Sequence, residues 1–160
     1  MNHGERLTVT AGIILGIGFG GFVDGILFHQ MLQWHAMVSS VIPPVDLVSA
    51  KVNMLYDGLF HVFCWTMTLI GVLVLAHAKG TERCVAVTKP LIASMFIGWG
   101  LFNVVEGLID HQILGLHHVH PGAGQVAWDV GFLVLGVIFI VGGKMALSRM
   151  IRVPHLRPAY

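Results

Sequence analysis

Charged residues are scarce in this chain of 160 residues. Lysine, arginine, aspartate and glutamate make up 11% of it, whereas an ordinary soluble domain contains about 25%. Because 56% of the residues are hydrophobic and the mean hydropathy is +0.81, this shortage of charge excludes an ordinary soluble domain and indicates a membrane protein. The net charge of +1 gives no reason to expect a nucleic acid as a partner.

Cysteine is rarer still, with two residues. We expect Cys64 inside a helix and Cys84 in the loop that follows, so the two would lie at different depths and a disulfide is not expected. A small-residue cleavage site followed by a polar segment is also lacking after the first apolar run. We therefore expect this run to be retained as a helix and not cleaved as a signal peptide.

Long apolar segments are abundant. A helix needs about 20 apolar residues to cross a bilayer, and four segments meet this length, at about 8–34, 54–77, 90–116 and 125–147. Little of the chain is left over. The sequence therefore predicts an all-α membrane protein, a bundle of four transmembrane helices that forms a single membrane domain over residues 1–160 in contact with the lipid bilayer.

Positive charges are distributed unequally between the two ends of these helices. Lys51 is the one lysine or arginine of the first and third loops. Positive residues favour the cytoplasmic side, so both termini are predicted to be cytoplasmic in a bacterial inner membrane, with the first and third loops in the periplasm. The cytoplasmic side would hold Arg6, Lys79, Arg83, Lys89, Lys144, Arg149, Arg152 and Arg157.

An ungapped internal repeat links the first and third helices. The segment DGILFHQMLQWH, which begins at Asp24, aligns with EGLIDHQILGLH, which begins at Glu106. The second and fourth helices match more weakly, around Asp57 and Asp129. Because ionisable residues are rare in membrane helices, matched acids and histidines indicate true repetition. We predict two copies of one helical hairpin, related by a pseudo-twofold axis along the membrane normal.

The repeat places acidic residues and histidines at one level near the periplasmic ends of the helices. Burying ionised carboxylates there costs several kcal/mol each, which protonation or bound cations would offset. Imidazole combined with carboxylate suits transition metals better than calcium or magnesium, and facing helices also build di-metal carboxylate sites. We predict a di-metal site, with copper or iron favoured over zinc. Its candidate ligands are Asp24, His29, His35, Asp57, His61, Glu106, Asp110, His111, His117, His118 and Asp129.

Helical geometry supports part of this set. In each copy the first acid and the last histidine are eleven residues apart, or about 20° around a regular helix. The middle histidines, His29 and His111, lie about 140° from their acids. Either they face a neighbouring helix, or a π-helical turn near Gly25 and Gly107 brings residues five apart into line.

Three segments carry a resemblance to a known family. The sequences GFGGFVDGILFHQMLQWHAM, NMLYDGLFHVF and FNVVEGLIDHQILGLHHV resemble a family of uncharacterised small four-helix bacterial inner-membrane proteins, catalogued as a domain of unknown function. The likeness covers nearly the whole chain and implies the four-helix fold and the same acids and histidines. That family often has histidine where this chain has Ala36 and Gln112, so the roles of these two positions stay open. Proximity of its genes to cytochrome-oxidase assembly genes favours copper.

Three functions are compatible with such a site. The first is a redox-active membrane oxidoreductase that uses oxygen or a quinol, with respiratory-chain components as partners and Asn103 and Asp129 as ligands or orienting groups. The second is a periplasm-facing protein that binds or delivers copper or zinc, supported weakly by Met31, Met37 and Met54. The third is a zinc-dependent membrane hydrolase. A transporter is disfavoured because the cytoplasmic halves of the helices have almost no ionisable residues, and a homo-oligomer is compatible with all three functions.

Overall fold

The computed structural model describes residues 1–81 and 88–152, which form four long helices and, within these residues, no strand. This confirms the predicted all-α class with four helices. The predicted loop residues Arg83 and Cys84 and the C-terminal Arg157 lie outside the described residues. The elements are α1 (His3–Val23), π1 (Asp24–Met31), α2 (Leu47–Thr81), α3 (Thr88–Glu106), π2 (Gly107–Ile113) and α4 (Gln125–Arg152), where π1 and π2 are π-helical continuations of α1 and α3.

Each of the four helices is long and apolar enough to cross a membrane. Their candidate spans contain 26 to 32 residues, with mean hydropathies between 1.6 and 2.3. At 1.5 Å per residue, even 26 residues extend about 39 Å, which exceeds the hydrocarbon thickness of about 30 Å. The protein is therefore a membrane protein with four apolar helices.

Two helices begin earlier than predicted because polar side chains cap them. At α1, the Asn2 side chain accepts a hydrogen bond from the Glu5 amide (2.7 Å), and Glu5 accepts one from the Asn2 amide (3.0 Å). At α2, Asp46 Oδ1 accepts hydrogen bonds from the amides of Val48 and Ser49, both 2.8 Å. These hydrogen bonds, that from Ser49 above all, lower the pKa of the exposed Asp46 carboxyl.

The first and third helical segments end earlier than predicted. They were expected to reach residues 34 and 116, but π1 ends at Met31 and π2 at Ile113. Gln33 and Gly115 adopt φ angles of 52° and 58°, in the left-handed region that a right-handed helix cannot contain. His35 and His117 therefore lie in the loops that follow.

The four helices are arranged in a row. The central pair, α1 and α3, pack against each other, while α2 packs on α1 and α4 packs on α3. In the most apolar stretches of α1 and α3 half of the residues are buried, against 11% for α2 and 17% for α4. The two flanking helices thus cover the central pair on two sides and leave part of its surface exposed.

Two glycines allow the central helices to cross closely. A Cβ atom at Gly16 would overlap the carbonyl oxygen of Met95, and one at Gly98 would overlap that of Ile13. Small residues permit such a backbone approach in membranes. Gly16 and Gly98 are 82 residues apart, which is also the offset between Asp24 and Glu106. Their contacts are reciprocal, while the relation of the complete hairpins by one axis stays a prediction.

Candidate metal centre

The π-helical segments place two acids next to two histidines. A π-helical turn brings residues five apart closer to alignment than an α-helical turn does. His29 Nε2 lies 3.0 Å from Asp24 Oδ2, and His111 Nε2 lies 3.1 Å from Glu106 Oε1. Of the two alternatives left by the sequence, the structure therefore has the π-helical one, and both middle histidines contact the acids of their own segment.

The backbone of the two segments is closed in the same way. The Leu32 amide donates to the carbonyl of Leu27 and the Leu114 amide to that of Ile109, both at 2.8 Å. Each donor and acceptor of the first bond is 82 residues from its counterpart in the second. Equivalent main-chain geometry therefore presents the acid and the histidine in both copies.

The last histidines reach the site through loops and not through helical periodicity. His35 Nδ1 donates to the carbonyl of Val119 (2.8 Å), and His117 Nδ1 donates to the carbonyl of Met37 (3.0 Å). Each loop thus holds the histidine of the other, and the two rings stack with centroids 4.6 Å apart. The angular argument for these residues was wrong because the helices end before them, although His117 does lie 2.9 Å from Glu106.

These loop contacts fix where the imidazole lone pairs point. A carbonyl oxygen can only accept, so the Nδ1 atoms of His35 and His117 carry protons, and in the neutral form of each ring the Nε2 atom carries a lone pair. Burial, together with the rings of His117 and His29, lowers the pKa of His35 to about 2. His35 is therefore a neutral imidazole whose Nε2 lone pair is available to a metal ion.

Eight ionisable side chains are buried at this end of the bundle, each at most 6% exposed. Among the described residues, no lysine or arginine is buried, so no fixed positive charge balances the carboxylates. The eight side chains are Asp24, Asp57, Glu106, Asp129, His29, His35, His111 and His117.

Asp57 lies behind His29 and holds it in place. Its Oδ1 atom accepts hydrogen bonds from His29 Nδ1 (2.9 Å) and from the Met37 amide (2.8 Å). Its Oδ2 atom is 3.3 Å from Gln30 Nε2, which donates to it. A carboxylate with three N–H donors is stabilised in its ionised form, and His29 Nδ1 is then the protonated nitrogen.

Asp129 occupies the corresponding place behind His111, but its partners differ. The Val119 amide donates to Oδ1 (3.0 Å), and His118 Nδ1 lies 2.7 Å from Oδ2. His111 Nδ1 is farther away, 3.4 Å from Oδ1. Asp129 therefore binds the loop more closely than it binds the histidine that faces the centre.

As neutral imidazoles, the histidines would have too few N–H groups for all the contacts that their rings make. Neutral imidazole has one N–H, and in His29 it is used by Asp57. If His29 is neutral and Asp24 is ionised, His29 Nε2 and Asp24 Oδ2 face each other with lone pairs. Within the described residues neither atom has a hydrogen-bond partner. His117 Nε2 lies 2.9 Å from Glu106 Oε1, which is a hydrogen bond if Nε2 is protonated and a contact between two lone pairs if the imidazole is neutral. His35 Nε2 and Glu106 Oε2, two further buried atoms that could bind a metal, also have no hydrogen-bond partner among the described residues.

The donor atoms group at the scale of a coordination sphere. One group contains His29, His35 and His117, and the other contains Glu106, His111 and His117; within each, the donor atoms lie within 4.8 Å of one another. Nitrogen and oxygen donors that bind one ion at about 2.0–2.2 Å are about 3–4 Å apart. These buried groups could therefore hold a metal ion after a small contraction.

Three of the predicted ligands are not among the eight buried side chains. His61 Nδ1 donates to the carbonyl of Asp57 (2.8 Å), and its Nε2 atom lies beside Gly25. Asp110 is half-buried and lines a surface groove that Glu106 also lines. His118 pairs with Asp129 and keeps 20% of its side chain exposed.

Sequence reasoning did not identify the loop backbone as part of the site. Met37 and Val119 each use both main-chain polar groups, the amide for an aspartate and the carbonyl for a histidine. Their side chains give no signal of this role. The one available signal was position, because Met37 and Val119 follow the repeat segments at the same distance.

Comparison with known proteins identifies the family of the chain. Residues 11–150 match a family described as "Predicted membrane protein (DUF2243)". No curated protein and no solved structure matches the chain. The match covers α2, α3 and both π-helical segments completely, α1 from Ala11 onward, and α4 up to Met150. The chain therefore belongs to this family of predicted membrane proteins, whose function is unknown.

Proposed function

We propose that the buried centre binds two redox-active transition-metal ions and that the protein is a metal-dependent membrane oxidoreductase. The observation that carries the proposal is the buried contact between His29 Nε2 and Asp24 Oδ2, which lie 3.0 Å apart and have no hydrogen-bond partner among the described residues. Two buried acceptors repel each other at this distance unless a cation or a further proton joins them.

We divide the ligands by repeat copy into the first arm (Asp24, His29 and His35) and the second arm (Glu106, His111 and His117). The second arm is one of the two groups of donor atoms, whereas the other group contains His29, His35 and His117, and Asp24 joins it through its 3.0 Å contact with His29. Each arm has two imidazoles and one carboxylate. This combination suits non-haem iron in particular, and copper or zinc less specifically. Asp57 and Asp129 would orient the middle histidines from behind, as carboxylates do for metal-bound imidazoles.

A redox-active ion at such a centre exchanges electrons with a substrate or with oxygen. The residues of the chain would bind the ions, hold the imidazole tautomers and exclude water, since the eight side chains are nearly inaccessible. A respiratory-chain partner and a homo-oligomer remain predictions.

The decisive experiment is metal analysis of protein purified in detergent from metal-replete cells, with absorption and EPR spectra of the same sample. We expect about two iron or copper ions per chain and a spectrum typical of that metal. The double variant D24N/E106Q should lose them. The control is Glu5→Gln at the exposed start of α1, where glutamine also completes a capping box.

The other outcomes are equally informative. A metal-free, fully folded protein would mean that the histidines are imidazolium ions paired with the acids, and the proposal would be wrong. Zinc as the sole stoichiometric metal would overturn the redox assignment and favour a hydrolase. Copper or zinc that exchanges freely, without turnover, would instead favour a binding or delivery protein.

We further propose that the centre faces the periplasm across a bacterial inner membrane, with both termini in the cytoplasm. The support is the charge distribution, because Arg6, Lys89, Lys144 and Arg149 belong to the end opposite Lys51. A membrane-impermeant maleimide should label Val45→Cys, in the first loop and 85% exposed, in intact spheroplasts. Labelling only after lysis would reverse this orientation.

A further inference from the structure

A groove of about 370 Å³ lies on the surface formed by α1, α2, α3 and π2, beside the candidate metal centre. Its apolar lining includes Ile17 of α1, Phe60 and Phe63 of α2, and Leu101 and Val105 of α3. Val105 is 53% exposed and Phe63 43% exposed. Because all three helices are candidate membrane spans, this groove opens toward the hydrocarbon interior of the bilayer, and its occupant must be soluble in the membrane.

Two carboxyl groups stand at one end of this apolar groove. Glu106 and Asp110 both line it, and Glu106 Oε2 is buried without a hydrogen-bond partner. Carboxyl groups are costly in a membrane and mark functional sites. An ionised carboxylate only accepts hydrogen bonds, so the matching head group must donate them. This argues against a fatty acid, a phosphate or a quinone carbonyl.

The other copy of the repeat does not have the residues that make this groove. Trp99 stands at the position that corresponds to Ile17, and Phe28 stands at the position that corresponds to Asp110. A Cβ atom at Gly20 would contact the Trp99 ring, so that indole fills space beside α1. The combination of an open apolar lining and a second carboxyl group therefore belongs to one side of the protein.

We propose that this groove binds a membrane-soluble hydroquinone. The head-group hydroxyls donate hydrogen bonds to Glu106 and Asp110, the flat ring lies among the phenylalanines, and the isoprenoid tail follows the apolar part of the groove. The volume is in the range of small-molecule sites. The use of such a ligand rests on the proposed function, because Glu106 belongs both to the groove and to the second arm.

The test measures equilibrium binding of decylubiquinol to the full protein in lipid nanodiscs, with empty nanodiscs as the partition background. We expect saturable binding of one ligand per chain. Val105→Trp should fill the groove and weaken binding at least about tenfold, whereas Val137→Trp, on α4 and 52% exposed, should leave it unchanged. The dimethyl ether of the same hydroquinone, which has no hydroxyl donors, should bind at least about tenfold more weakly.

Three results would overturn the inference: no saturable binding above empty nanodiscs, unchanged binding in folded Val105→Trp, or equal binding of the dimethyl ether, which would indicate a groove for a lipid chain. If Val105→Trp does not fold, Leu101→Trp replaces it. Metal content measured on the same samples separates this inference from the proposed function. Decylubiquinol binding without metal would contradict only the proposed metal-dependent function. Stoichiometric metal without decylubiquinol binding would contradict only the hydroquinone site.

Discussion

The two arms of the centre share one framework and differ in what their outer aspartates hold. In the first arm, Asp57 contacts His29 Nδ1 at 2.9 Å. In the second arm, Asp129 lies 3.4 Å from His111 Nδ1 and only 2.7 Å from His118. The same acid at the matching position of the repeat thus holds a buried histidine in one arm and a loop histidine in the other.

One position of the sequence accounts for this difference. His118 corresponds to Ala36 in the repeat. Alanine offers Asp57 no side-chain donor, so the loop histidine contact of Asp129 has no counterpart, and the side chains that donate to Asp57 are those of His29 and Gln30. The acids that face the centre, Asp24 and Glu106, also differ in how many imidazoles they contact. Glu106 Oε1 lies close to two imidazoles, at 3.1 and 2.9 Å, whereas Asp24 Oδ2 faces the imidazole of His29 at 3.0 Å. The repeat therefore places the same acids and histidines in both arms, while single differences between the copies decide which hydrogen bonds hold each of them.

The largest predicted effect tests whether the arms are independent. His117 belongs to both groups of donor atoms and His35 to one. We expect His117→Ala to lose metal from both arms, with affinity reduced more than about 100-fold, because its Nε2 atom binds one ion and its ring, stacked on His35 with centroids 4.6 Å apart, orients a ligand of the other. His35→Ala should keep about one ion per chain. Equal metal contents of the two variants would show that the centre has no such asymmetry.

A smaller effect distinguishes the outer aspartates. Asp57→Asn removes the charge that orients His29 and should weaken metal binding about 10- to 100-fold. Asp129→Asn should weaken it less than about threefold, because the contact between Asp129 and His111 is already long. Metal competition titrations on both proteins measure this ratio. If Asp129→Asn costs as much as Asp57→Asn, the metal-bound geometry of the second arm resembles that of the first.

The smallest predicted effect makes the second arm resemble the first. His118→Ala removes the side chain that competes for Asp129, so metal affinity should stay within about threefold or rise slightly. Stability should fall by about 1 kcal/mol, the typical net contribution of one hydrogen bond. Thermal unfolding and metal titration of His118→Ala would measure both quantities. Loss of metal from this variant would instead make His118 a ligand.

Much of the site could be predicted from the sequence because ionisable residues are costly in apolar helices and are kept there mainly for a function. Asp24, Glu106, His29 and His111 are buried together, while their role as metal ligands stays a prediction. The two alternatives for the middle histidines could not be resolved, because α-helical and π-helical hydrogen bonding of the same segment depends on the packing around it. His61 is half-buried, but its nitrogens contact the helix backbone and Gly25, which periodicity alone could not reveal.

The sequence by itself determined the four apolar helices, the paired acids and histidines and their common level, since hydropathy and repeat spacing act locally along the chain. Only the tertiary structure decided the crossed loops, in which Met37 and Val119 bind the histidines of the opposite copy. The tertiary structure also decided which histidine nitrogens bond the loop carbonyls and which remain available to a metal ion. These features depend on groups that are 80 and 84 residues apart in the chain, and such groups meet only after the two central helices have packed.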